Sequence, residues 1–229
     1  VSGITNVVKG NVTALQVAGI ANIVENDVQG IQASGITNIM NGEFQGLQAA
    51  GIFNMTKTIY GAQVTGITSK ADVVYGLQVN GLGGYSNSVI GLQVSGIMNQ
   101  SKVVKGAQIA GLVNVTEQLE GVQIGFLNIS ERVKGGVPIG FMSFSRYGYK
   151  TIDVSYNEIF PATLALKTGV DEFYNIFTAA SNFDYDNHLW TFGYGIGSRL
   201  HLTKNTLMEL SALKIKWGFI WFCREVRCR

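Results

Sequence analysis

Leu92-Gln93-Val94 sets a glutamine between two apolar residues, and the same arrangement returns at Gln16, Gln32, Gln48, Gln63, Gln78, Gln108 and Gln123, in steps of 16, 16 and then 15. Glycine stands two before the glutamine in every copy but the first, where Ala14 replaces it, and in the first seven copies again three after it, followed at once by Ile or Leu (Ile20, Ile36, Ile52, Ile67, Leu82, Ile97, Leu112). Two residues later comes Asn22, Asn38, Asn54, Asn99 or Asn114, with Ser69 and Gly84 as the exceptions. A short fixed period of this kind predicts a repeat architecture.

The pattern changes face inside the repeat. In an extended strand, side chains alternate, so Leu92 and Val94 share one side while Ile97 falls on the other. A bend at the intervening glycine turns both sets inward, and glycine accepts such a corner without steric cost. A further apolar position eleven after the glutamine (Ile59, Val74, Val89, Val104, Leu119) closes the turn. The expectation is an all-β chain: a β-solenoid of about nine 15-residue coils in which residue i lies on residue i+15. One coil cannot offset the entropy of ordering its own backbone, so coils must stack. Gln48, Gln63, Gln78, Gln93, Gln108 and Gln123, with Asn22, Asn38, Asn54, Asn99 and Asn114, are then expected to hydrogen-bond along the axis as a structural ladder. The alternative is an outer-membrane β-barrel meander with one strand per repeat. It ranks second because Ile97 and its equivalents would face the lumen.

Three regions follow: residues 1–145 as the repeat region, 146–213 as an antiparallel sheet capping it, and 214–229 as a tail of uncertain structure. Val1 to Asn6 match the repeat from one residue after its glutamine, which suggests a fragment whose first coil is cut and whose leader is missing. The extra residues near Asn26-Asp27 and Asn41-Gly42 read as longer corners. Val137-Pro138-Ile139-Gly140-Phe141, with proline in the glutamine position, reads as the last coil. Beyond Tyr149 the period gives way to strands at 151–156, 162–168, 174–180, 189–202 and 206–213. The clearest alternates Phe192, Tyr194, Ile196, Leu200 and Leu202 with Thr191, Gly193, Gly195, Gly197, Arg199 and His201.

Composition narrows function by exclusion. Charged residues make up 14% with a net charge of +2, which argues against nucleic acid as a partner. His188 and His201 lack ligand spacing; Asp184 and Asp186 read as a hairpin tip before a calcium loop; Cys223 and Cys228 lack partner histidines. Gly193-Tyr194-Gly195-Ile196-Gly197 has neither the spacing nor the following helix of a nucleotide loop. Carboxylates in the repeats (Glu25, Asp27, Glu43, Asp72, Glu117, Glu120) are scattered, so a carbohydrate-active solenoid is the weaker alternative. No catalytic, cofactor-binding or metal-binding residue is assigned, and no cofactor is expected.

The Gly-x-Gln-x-x-Gly-Ile/Leu-x-Asn repeats, the Val137–Phe141 segment, and the Tyr174–Thr178 and Gly193–Gly197 blocks together resemble an uncharacterised family of bacterial surface-repeat proteins found in Bacteroidota and spirochaetes. The resemblance runs to about Leu210. It implies an exported protein of the cell surface or outer membrane, with membrane association and envelope components or glycans as partners, and it supplies no activity and no site residues. The resulting expectation is a non-enzymatic scaffold, adhesin or binding surface, with an integral outer-membrane barrel as the alternative.

Overall fold

The computed structural model describes residues 1–156, 158, 160–182, 190–203, 206–215 and 226–228, with side chains except at 201–207, 213–215 and 226–228. Every element among the described residues is a β-strand. The chain divides into two compact units, Val1–Gly136 and Val137–Arg229.

The repeats wind a β-solenoid of about nine turns. Pairing is parallel and in register: Gln63 faces Gln78, Gln78 faces Gln93, and Gln93 faces Gln108. Asn22 likewise faces Asn38, and Asn99 faces Asn114. Each residue therefore lies on its equivalent one coil earlier, about 4.8 Å away. Parallel pairing excludes the meander, whose neighbouring strands must run antiparallel.

The facing of the side chains is the reverse of the one expected. Gln93 and Asn99 are fully buried, whereas Ile97 is 44% exposed and Leu92 and Val94 are only half-buried. The inward positions of a coil are the glutamine, the small residue two after it, the asparagine, the Ser or Thr two beyond that, and the aliphatic eleven after the glutamine. Ile59, Val74, Val89, Val104 and Leu119 are indeed fully buried and form the apolar part of the interior. In the two longer coils, Val28 and Phe44 do the same beside Val24 and Met40. Alternation alone says that two faces differ, not which is inside. The interior takes the amides because each finds its partner in the coil below or above, which removes the cost of burying a polar group.

Two glycine columns permit this stacking. A Cβ on Gly91 would meet Gly76 O at 1.9 Å, and one on Gly96 would meet Gly81 O at 2.3 Å. Gly30, Gly46, Gly61 and Gly76 also sit at φ near +130°, where an L side chain is strained. Ala14 holds the same conformation at φ 144° in the first copy. The longer coils carry staples of their own, in which Asn11 Oδ1 accepts from Asp27 N at 3.3 Å and Asp27 Oδ1 from Glu43 N at 2.8 Å.

In the second unit, Tyr149–Ser155, Ala162–Gly169, Tyr174–Ser181, Trp190–Thr203 and Thr206–Ile215 form an antiparallel sheet in that order, extended by Val226–Cys228. All five expected strands are present within two residues of their predicted ends. Here too the expected apolar side is the bare one: Phe192 is 67% exposed, and its neighbour Thr191 is buried. At the Gly169 end, Phe141 stacks on Tyr194 and meets Phe177 edge-on, and Thr168 Oγ1 donates to Ser143 O at 3.0 Å.

Candidate functional site

The polar ladder is the most ordered constellation in the chain. Each glutamine Nε2 donates to the glutamine Oε1 one coil earlier: Gln63 to Gln48 at 2.6 Å, Gln78 to Gln63 at 2.9 Å, Gln108 to Gln93 and Gln123 to Gln108 at 2.8 Å. A second lone pair on Oε1 is taken by a hydroxyl of the same coil, Thr56 on Gln48 and Ser101 on Gln93. The asparagines run the other way. Asn22 donates to Asn38 and Asn38 to Asn54, each at 2.8–2.9 Å, and Asn99 donates to Asn114 at 3.2 Å. The amide dipoles of the two columns are therefore opposed, which offsets the field that either would build alone.

Each asparagine also holds the backbone. Its Nδ2 donates to the backbone carbonyl of the residue immediately after the next glutamine, as in Asn22 to Ala33 O at 2.8 Å, Asn99 to Ile109 O at 2.7 Å and Asn114 to Ile124 O at 2.8 Å. The bond ties the asparagine of one coil to the strand that follows it; at the equivalent Val17 O the carbonyl accepts both Asn6 Nδ2 and the ladder donor Ser2 N, each at 2.9 Å.

Where the asparagine column lapses, the gap is bridged. Ser69 Oγ donates to Asn80 Oδ1, Asn80 Nδ2 to Ser95 Oγ at 3.3 Å, and Ser95 Oγ to Asn99 Oδ1 at 2.6 Å. Gly84 makes room for this, because a Cβ there would lie 2.6 Å from Asn80 Nδ2. Asn80 and Ser95 were not singled out from the sequence. The signal that could have found them was the simultaneous appearance of Asn80, in a column otherwise held by Ala, Ser, Thr or Gly, and of glycine at position 84.

The ladder residues Gln48, Gln63, Gln78, Gln93, Gln108, Gln123, Asn22, Asn38, Asn54, Asn99 and Asn114 are all fully buried. They hold the solenoid together and offer no surface to a ligand.

What faces outward is apolar on one side and charged on the other. The residues flanking each glutamine, together with the Ile or Leu four after it, include no charged residue in any of the eight copies. Leu15, Ile31, Leu47, Val64, Ile36 and Leu112 are each 41–57% exposed. Charges begin beyond the asparagine and are of both signs: Lys57, Lys70, Asp72, Lys102, Glu117. Asp27 and Glu43 line a shallow open depression with Asn11 and Gln45, and Asp27 is already engaged by the Glu43 backbone.

A charged cluster stands in the second unit. Lys167 Nζ lies 2.7 Å from Glu209 Oε1 and 2.9 Å from Asp153 Oδ2, and Tyr174 OH donates to Glu209 Oε1 at 2.6 Å. Arg199 is 3.9 Å from both Glu209 and Asp171, with its guanidinium 3.9 Å above the Tyr149 ring. Two cations, Lys167 and Arg199, thus stand among three carboxylates, Asp153, Asp171 and Glu209, and offset most of their charge. Among the described residues no group of three His, Cys, Asp or Glu converges as metal ligands would. Asp184, Asp186, His188 and Cys223 lie outside the described residues, as do the side chains of His201 and Cys228.

No protein-family model matches the chain, and no curated protein or solved structure matches it significantly.

Proposed function

We propose that the chain is a non-enzymatic scaffold of the bacterial cell envelope, and that the apolar side of its solenoid is a binding surface. The observation that supports this reading is the segregation of the exterior: columns on either side of the buried glutamines, and at the adjoining corner, stay apolar and uncharged in every copy while half-exposed. A monomer in water rarely keeps so continuous an apolar strip uncovered. A stiff parallel stack with a self-satisfied polar interior holds that strip in a fixed geometry, as a scaffold requires. The envelope location rests on the family resemblance of the repeats.

Photo-crosslinking in the native host tests the reading. A photoreactive residue replacing Val79 or Val94 on the apolar side should give a discrete crosslinked product with an envelope component, and one replacing Lys102 on the charged side should not. Equal labelling from both sides, or none from the apolar side, rejects a dedicated binding surface. The carbohydrate-active alternative makes a separate prediction, that Asp27→Asn or Glu43→Gln removes a polysaccharide-cleaving activity.

A further inference from the structure

The C-terminal sheet is built with its polar side inside and its apolar side out. Lys167 and Glu209 belong to strands three places apart, Ala162–Gly169 and Thr206–Ile215, so about 14 Å would separate those strands in a flat sheet. Their side chains nevertheless meet at 2.7 Å. Arg199 and Tyr149 also come from strands three places apart, and the guanidinium lies 3.9 Å above the ring. Two such contacts on one face mean that the sheet curls around that face. Tyr174 fits within the curl because Gly197 opposite it has no side chain; a Cβ there would lie 2.3 Å from the tyrosine ring.

The convex face carries the opposite chemistry. Ile152 pairs with Leu166 and Val154 with Leu164, and the row continues through Ala179 to Phe192. Val154 is 79% exposed and Ile152 and Phe192 are each 67% exposed. Among the described side chains on this face Lys150, at one end, is the one charge, and the register sets Lys214 opposite Tyr194 on the same face. At the Gly169 end this face is covered, with Phe141 against Phe177 and Tyr194, Thr168 bonded to Ser143 O and Asn175 to Gly140 O; Ser181 is also buried, and the exposed part is the row through Ile152, Val154, Leu164 and Phe192. At the far end, Tyr156 and Trp190 stand 77% and 64% exposed where their strands end and begin.

The geometry points to lipid hydrocarbon as the occupant of this convex face: the sheet is part of the wall of a transmembrane β-barrel. Curling around a charged interior while presenting aliphatic residues outward, with aromatic residues at a rim, is the arrangement of outer-membrane barrels. A water-soluble sheet curls the other way round, with its apolar face inside. Trp190–Thr203 and Thr206–Ile215, of 14 and 10 residues, meet the roughly 9–11 residues a tilted strand needs to cross, while three others run 7 or 8 and the edge strand Val226–Cys228 has 3. A bilayer does not tolerate a bare sheet edge, and the smallest single-chain barrels have about eight strands. Among the described strands Tyr149–Ser155 has no neighbour on its outer side and Val226–Cys228 pairs only Thr206 to Met208, so further strands must continue the wall at the edges of this sheet. This inference stands apart from the scaffold reading, since it uses no residue of the solenoid.

Spin-label accessibility tests it. In the protein expressed from its complete gene, with Cys223 and Cys228 replaced by serine, single labelled cysteines go at Val154, Leu164 and Phe192 on the convex face and at Thr151 and Thr178 on the concave face. In isolated outer membranes, collision with oxygen should exceed collision with a water-soluble nickel chelate several-fold at the first three, and the order should reverse at the last two. Dominance of the chelate at Val154, Leu164 and Phe192 places the face in water and overturns the inference. Exclusion of both reagents there means a protein partner covers it, which overturns it equally. Carbonate extraction of the unsubstituted protein gives a second reading that needs no variant: retention until detergent is added is expected, and release by carbonate rejects a membrane wall.

Discussion

Gln93 Nε2 donates to Gln78 Oε1 at 2.6 Å, and both side chains are fully buried. Gln93 Oε1 in turn accepts from Gln108 at 2.8 Å and from Ser101 at 3.1 Å. Replacing the central glutamine by leucine would preserve bulk and add apolar surface, yet it orphans the acceptor below and the donors above. Each buried unpaired group costs about 1–3 kcal/mol. Gln93→Leu is expected to destabilise the solenoid by roughly 2–5 kcal/mol in urea unfolding, and a neutral or stabilising result would falsify the view that the ladder is a stabilising element.

The glycine columns predict a sharper loss. Gly96→Ala drives a methyl to 2.3 Å from Gly81 O, a backbone atom fixed by its own coil. Coils must separate locally, and the expected cost is about 3 kcal/mol or more, in the range of overpacked interiors. Gly10→Ala is the control, since a Cβ there meets nothing within 4 Å. Thermal unfolding of the two variants should differ widely, and similar melting temperatures would mean that the stack has slack at its corners.

Leu119 and Ile97 separate the true interior from the one that alternation suggests. Leu119→Ala empties a fully buried site and is expected to cost about 2–5 kcal/mol. Ile97→Ala, at a site 44% exposed, should cost about 1 kcal/mol or less. If the inward apolar face were the Ile97 column, the ranking would invert.

That comparison marks how much of the fold was legible in the sequence. The period, the parallel register, the amide columns, the aliphatic column ending at Leu119 and the five C-terminal strands all followed from spacing and alternation. The facing of Leu92, Val94 and Ile97 did not, because polarity was read as exposure. The sign that distinguishes the faces was present in the repeats themselves. Glutamine is identical in all eight copies, as a ladder of mutual partners demands, whereas its neighbours vary among Leu, Ile, Val and Ala, as an outward surface allows. The same inversion affected Phe192 and Thr191. The curl of the C-terminal sheet was not legible at all, since it depends on Lys167 and Glu209, 42 residues apart, meeting across two intervening strands.

Among the described residues Ala14 is the one non-glycine with positive φ, at 144°, in a column that glycine otherwise holds. Strain of this kind costs on the order of 1–3 kcal/mol, less the entropy that glycine gives back to the unfolded chain. Ala14→Gly should raise stability by about 1 kcal/mol, measured as a shift of the urea midpoint without change of slope. A fall in stability would show that the alanine methyl contributes packing that outweighs its strain.

Gly84 tests whether the ladder is local or cooperative. Restoring the missing rung with Gly84→Asn looks favourable from the repeat pattern, but the new Cβ would lie 2.6 Å from Asn80 Nδ2 and 2.8 Å from Gln93 Nε2. Asn80 already fills that space, linking Ser69 to Ser95. The single variant should therefore destabilise by about 1–3 kcal/mol, as overpacking does. Adding Asn80→Ser vacates the space and lets an asparagine at 84 join the column beside Asn99. The double variant should recover most of the loss, giving a coupling energy of about 1–3 kcal/mol in a double-mutant cycle. Additive effects would mean that the two sites do not share the gap, and that the Ser69-to-Asn99 bridge is incidental to the stability of the stack.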